Sequence, residues 1–235
     1  MAKSKHMDNN HNNHAGSRLR DIILGGQDGV VNVLGIVLGV AVATNETRVV
    51  LIAGLASTFA ESISMAAVAY TSTKAALSYY YSELAQEERE ISEKPKEEIR
   101  EIRQIYASKG FRGRVLSAIV NKITSNKKLW VQTMMAEELK LTTTGNENPL
   151  SAAWVVGLAS FIGSLVPLTA FFFFPVKTSV YISLILCSLV LFSTGAYKAK
   201  ITVGTWWKSG FEMLFIGMLA AFSGYLVGVI FNIWG

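Results

Sequence analysis

The sequence predicts an all-α membrane protein with five transmembrane helices and a cytoplasmic helical insert between the second and third. Three observations predict it. Of 235 residues, 51% are apolar and only 17% are charged, against roughly 25% charged in an average soluble domain. The apolar residues gather in five long runs, each near the ~20 residues that a spanning helix needs. Between the second and third runs the chain turns polar and rich in helix formers. The hydrophobic fraction excludes a disordered chain, and the single Cys187 excludes a disulfide scaffold.

Residues 1–18 form a polar leader, rich in Asn and His and expected to be disordered. All three histidines, His6, His11 and His14, lie there, so metal binding by the leader is one reading and a flexible tail the other. Residues 19–83 hold the first two spans, Ile22–Thr44 and Val49–Tyr70. The first starts too far in and runs too long for a signal peptide. Residues 149–235 hold the last three, Ser151–Phe174, Thr178–Tyr197 and Phe211–Trp234. Gly25, Gly29, Gly35 and Gly39 in the first span, and Gly217, Gly224 and Gly228 in the last, suit close helix contact in lipid.

The formal charge of +5 does not mark a nucleic-acid binder. With the N-terminus inside, the inner segments hold nineteen of the 22 Lys and Arg, twelve of them between Leu84 and Asn148. Arg48 and Lys177 fall outside, and Lys74 sits near the inner end of the second span. That bias places the N-terminus and the insert in the cytoplasm and the C-terminus outside. The insert, residues 84–148, reads as helices throughout. Ser82–Glu93 is strongly helical in propensity, and Pro95 fits the first turn of a new helix with Glu97 and Glu98 beside it. Lys109-Gly110 ends that helix. Arg112–Thr124 and Lys128–Leu141 follow, and Thr142–Asn146 links to the third span.

Acids inside spans are costly and mark function by default. Asp28 lies about 9 Å in from the start of the first span, and Glu61 about 18 Å in from the start of the second. Met65 shares the face of Glu61 at i+4. Two carboxylates and a thioether suit a divalent transition metal, because sulfur disfavours magnesium and calcium. The competing readings are a helix N-cap for Asp28 and core packing for Met65. In the insert, Glu87 and Glu90 stand at i, i+3, as do Glu98 and Glu101. Met134 or Met135 with Glu138 offers a third group. Each pair faces one way, and the three faces together would make a carboxylate-rich site. Taken singly, such pairs more commonly form ion pairs, here with Arg89, Arg100 or Arg103.

Leu24-Gly25-Gly26-Gln27-Asp28-Gly29-Val30, then Leu38-Gly39-Val40, resembles the first-span signature of the vacuolar iron transporter family. Ser64-Met65-Ala66-Ala67 resembles the family's second-span motif. Glu87, Glu90, Glu98, Glu101, Ile105-Tyr106 and the run from Trp130 through Met134-Met135 to Glu138-Leu139 resemble its insert. The likeness covers roughly Leu19–Leu141 by motif and the last three spans by hydropathy. It implies a homodimer whose ion path runs near the first two spans, and a helical domain that gathers metal on Glu and Met. It implies exchange of ferrous iron for protons out of the cytosol, with manganese, cobalt and zinc as further cargo and no tightly bound cofactor. The membrane would be the cell membrane in a prokaryote and the vacuolar membrane in a eukaryote. Asp28 and Met65 carry over as path residues. Glu87, Glu90, Glu98, Glu101, Met134, Met135 and Glu138 carry over as insert ligands. The family pattern continues Gly-Glu-Tyr where this chain has Val68-Ala69-Tyr70. Glu61 lies eight residues earlier, about 12 Å along the helix and about 80° around it from Ala69.

The alternative is a membrane-anchored, carboxylate-rich protein that binds or oxidises iron. Helical di-iron sites typically use Glu-x-x-His, and no His follows His14. A purely structural membrane protein leaves Asp28 and Glu61 unexplained. Enzymatic hydrolysis has no support, since the chain carries no nucleophile–base pair and no phosphate loop.

Overall fold

The computed structural model describes residues 8–141, 148–201 and 204–234, with side chains over 18–141, 148–201 and 204–232. Among them are eight α-helices: α1 (Asp8–Thr44), α2 (Thr47–Glu93), α3 (Pro95–Ser108), α4 (Gly113–Thr124), α5 (Lys127–Glu137), α6 (Pro149–Leu168), α7 (Val176–Ile201) and α8 (Trp206–Trp234). A short 3-10 turn, Thr169–Phe172, follows α6. No strand occurs among the described residues. Five helices, α1, α2, α6, α7 and α8, are long and apolar enough to cross a membrane.

Helix α1 begins at Asp8, inside the segment expected to be a disordered leader. Each residue added to an existing helix gains one backbone hydrogen bond without a new nucleus, and no proline interrupts this run. Residues 1–7, the side chains of His11 and His14, and the Thr142–Asn146 linker lie outside the described residues.

The chain divides into two compact units, Met1–Tyr70 with Pro149–Gly235, and Thr71–Asn148. The division falls within α2, earlier than the 83/84 boundary read from composition. No break in the helix marks it: α2 runs without interruption from Thr47 to Glu93.

In the first unit α1 is central, packed against α6, α7 and α8. The α1–α8 contact rests on glycine. A Cβ added at Gly224 would collide with the Gly35 carbonyl, and one at Gly228 with that of Gly39, so the two backbones touch directly. Val30, Leu34 and Leu38 pack with Cys187, Leu191 and Ala221 in one core cluster. Val33, Val37 and Ala41 pack with Val50, Leu168 and Phe171 in another. Hydroxyls tie the ends of α6 and α7: Ser183 Oγ donates to the Pro167 carbonyl at 2.7 Å, and Ser179 Oγ to those of Phe174 at 2.9 Å and Ala170 at 3.1 Å. Helix α2 adds to this unit through Gly54 against Leu168 and Ala66 against Gly157. Ile52, Ile63 and Val68 of α2 are exposed, and Phe59, more than half exposed, packs tilted against Phe161 of α6 at 5.5 Å.

In the second unit the end of α2 is followed by α3, α4 and α5 around Ile91, Ile102, Leu116, Val120, Trp130 and Met134. Pro95 takes the first position of α3, and Glu97 and Glu98 stand in its first turn. The Asn126 side chain accepts from Leu129 N at 3.2 Å and caps α5. Helix α5 stops at Glu137, before the Leu141 end read from propensity. Lys140 there has φ of 57°, a left-handed conformation that closes helix ends.

Candidate functional site

Two groups of acids stand out, one in each unit. In the first, the carboxyl group of Glu61 on α2 is in hydrogen-bond contact with Asp28 and with Asn32, both on α1. Asp28 and Asn32 share a face at i+4. Asp28, Glu61 and Met65 are all half-buried, and Met65 lies one turn from Glu61 on the same helix. Two carboxyl groups in contact need a positive charge between them, whether a proton or a metal ion. The sequence reading missed Asn32. Its signal was an amide inside an apolar run, four residues from an acid.

In the second unit, carboxylate oxygens of Glu87, Glu98 and Glu138 lie within 4.8 Å of one another. Oxygens on opposite sides of a divalent ion stand about 4.2 Å apart, at bonds of about 2.1 Å, so a small inward shift encloses a cation. Glu87 and Glu98 are each 4% exposed, and Oε1 of Glu87 and Oε2 of Glu98 are buried without a hydrogen-bond partner. Glu90 and Glu101 lie close enough to act on them electrostatically. Among the described residues, no ion pair involves any of these five glutamates. The expected partners Arg89, Arg100 and Arg103 do not neutralise them. The helix ends sharpen the imbalance: α2 closes on Glu87, Glu90 and Glu93 with no basic residue in its last turn, and Glu138 is the C-cap of α5. Helix C-termini favour cations.

The electrostatics follow. Glu87 lies in the part of α2 beyond its apolar run, and burial, then Glu98, Glu138 and Glu90, push its pKa up to about 8. Burial and Glu101 raise Glu98, against a lowering by its hydrogen bond to Glu87. Burial, Glu101 and Glu90 raise Glu138. Its neighbour Glu137 behaves oppositely. It bonds Lys109 at 2.5 Å and lies 3.8 Å from Lys140, and the Lys109 hydrogen bond lowers its pKa. One step of about 100° around α5 therefore separates an ion pair from a member of the acid cluster.

Met134 and Met135 are both buried, in the same apolar cluster as Ile91 and Ile102. Trp130 Nε1 is buried there without a partner.

Fold and site together define a multi-pass helical membrane protein with one acid pair inside its spans and an acid cluster in a helical insert. The chain belongs to the VIT family, whose model matches residues 19–229. Among curated proteins it is 33% identical to vacuolar iron transporter 2 of Oryza sativa subsp. japonica, over 90% of this chain and 86% of that one. It is 30% identical to vacuolar iron transporter 1 of Arabidopsis thaliana, over 90% and 85%. It is 30% identical to the vacuolar iron transporter of Plasmodium falciparum, over 90% and 81%.

Proposed function

We propose that this protein carries divalent transition metal, ferrous iron foremost, out of the cytosol in exchange for protons. The observation that carries the reading is the contact of Glu61 with Asp28 between two spanning helices. An acid pair placed there alternates between a shared proton and a shared cation, and that alternation is the chemistry of exchange. The names of the relatives supply iron as the first cargo. Manganese, cobalt and zinc suit the same mixed oxygen and sulfur donors. The role is that of a carrier rather than an enzyme.

Nineteen of the 22 Lys and Arg support a cytoplasmic N-terminus and insert. On that reading Glu87, Glu90, Glu98, Glu101 and Glu138, with Met134 or Met135, collect metal on the side from which it is exported. The exposed apolar residues of α2 support a homodimer, since Ile52, Phe59 and Ile63 recur along one side of the helix. A vacuolar membrane fits the relatives' names, and a cell membrane fits a prokaryotic host.

The test is flux of ferrous iron, manganese, cobalt and zinc into proteoliposomes, with internal pH followed in the same vesicles. Metal entry should drive proton exit. Glu61→Gln keeps the shape but removes the titration, so proton movement should fall several-fold more than metal binding. Metal flux with no proton counterflow in the parent protein would overturn exchange.

A further inference from the structure

The edge of the first unit that carries Arg18, Arg20, Lys198, Lys200 and Lys208 contains two adjoining cavities unrelated to the acid pair. One, of about 920 Å³, lies between the end of α7 and the start of α8, lined by Phe192, Tyr197, Lys200, Thr205 and Trp206 among others. The second, of about 430 Å³, runs between α1, α6 and α7 against Ile22, Ile23, Val166 and Val190, with Gln27 on its wall. Ser193 and Tyr197 line both. They form the shared border between a cationic cradle and an apolar crevice.

The chemistry of the cradle selects an anion. Lys200 brings the positive charge, and among the described residues no acid lines either cavity. Thr205 and Trp206 open the 29-residue helix α8 here, and a helix N-terminus favours negative charge. Lys208, two residues past Trp206, sits 5.6 Å from the Trp207 ring. Tyr197, Trp206 and Trp207 are all exposed, as aromatic side chains at the headgroup level are. Phe192 holds Trp206 edge-on at 6.3 Å and Phe211 at 5.3 Å, which fixes the cradle's apolar wall.

The crevice selects a ligand with a hydrocarbon tail. Its walls are mostly aliphatic, and it opens on the apolar surface of spanning helices, where acyl chains are the surrounding solvent. An inorganic anion would use the cradle and leave the crevice without a role.

We propose that this edge is a binding site for one anionic phospholipid. Its phosphate lies by Lys200 and the start of α8, and one acyl chain lies in the crevice past Tyr197. The crevice wall includes Gln27, next to Asp28, so an occupying chain braces the α1 segment that carries the path acid. The proposal is independent of which ion is carried.

The experiment uses the full chain, purified and delipidated in detergent. Three additions are compared by thermal unfolding and by native mass spectrometry: phosphatidylglycerol, phosphatidylcholine with the same acyl chains, and glycerol phosphate. Phosphatidylglycerol should remain at one per chain and raise the midpoint more than phosphatidylcholine, with no shift from glycerol phosphate. Lys200→Gln should weaken phosphatidylglycerol about five-fold, one basic residue's share at a membrane surface. Val190→Trp, on an open side of α7, should weaken it by filling the crevice while leaving the cradle intact. Glycerol phosphate acting as strongly as the lipid would make this a free-anion site and overturn the proposal. So would equal effects of the two lipids, or parent-like retention in both variants.

Discussion

The acid pair of the spans and the acid cluster of the insert solve opposite problems with the same side chain. Between α1 and α2 there are two half-buried carboxyl groups, one exposed amide and one nearby half-buried thioether. In the insert, three carboxylates converge within 4.8 Å and two more act on them, with two of the five almost fully buried. Charge holds a cation in proportion to the number of acids and their desolvation. On the proposed function, the insert retains metal and the sparse pair releases it. A conducting site must bind weakly enough for the ion to leave.

That contrast is broken most sharply by neutralising one acid in each place. Asp28→Asn removes half the charge of the pair, and loss of a charged partner costs ~1.5–3 kcal/mol. Metal flux in liposomes should fall roughly tenfold or more, while equilibrium metal binding by the full chain stays near the parent value. Glu98→Gln with Glu101→Gln should reverse the pattern. Affinity measured by calorimetry should drop roughly 10- to 100-fold, at least the effect of disturbing a ligand's outer contacts, and flux at saturating metal should fall less than in Asp28→Asn. Parent-like flux in Asp28→Asn would remove that residue from the path.

The two sites were also unequally legible. The insert's helices follow from local rules: Pro95 begins α3 and Asn126 caps α5. The i, i+3 spacing put each glutamate pair on one face. Spacing within a helix could not tell whether Arg89, Arg100 and Arg103 would neutralise those faces, because that depends on how α2, α3 and α5 meet. Likewise Asp28 and Glu61 announced themselves as acids in apolar runs, yet their mutual contact depends on α2 lying against α6 through Ala66 and Gly157. Asn32 escaped notice because a neutral amide costs less in a span than a charge does. The continuity of α2 through Glu93 was hidden by the change of composition near Glu83, since composition marks the surroundings and not the backbone.

A smaller effect tests whether the cluster is unneutralised when empty. Glu87 titrates near 8 in the folded chain, against 4.5 for the ordinary group. Its proton is therefore held by the folded form and released by the unfolded form between those values. Stability from this group is fully present below pH 4.5 and is lost as pH rises through about 8. In chelator, the unfolding midpoint should be lower at pH 8 than at pH 5.5. Added divalent metal should restore it at pH 8, because the cation replaces the proton. Glu87→Gln should flatten the chelator profile, and an unchanged slope in that variant would assign the pH dependence elsewhere.

The smallest expected effect separates the two methionines. Both are buried in one cluster with Ile91 and Ile102, so burial does not choose between them. Helix geometry does. Glu138 follows Met134 by four residues and Met135 by three, which places it about 40° from the first and about 60° from the second around α5. Met134 therefore points closer to the carboxylate side. Methionine to leucine preserves volume and usually costs less than about 1.5 kcal/mol in a core, so either variant should fold. The substitution deletes the polarizable sulfur, whose contribution matters more for ferrous iron or zinc than for manganese. Met134→Leu should weaken iron binding a few-fold relative to manganese in the full chain, and Met135→Leu should leave that ratio unchanged. The opposite result would turn α5 by one residue in the ligand set. No change in either variant would leave both methionines as core and make the insert a site of oxygen ligands, with a correspondingly weaker preference for iron.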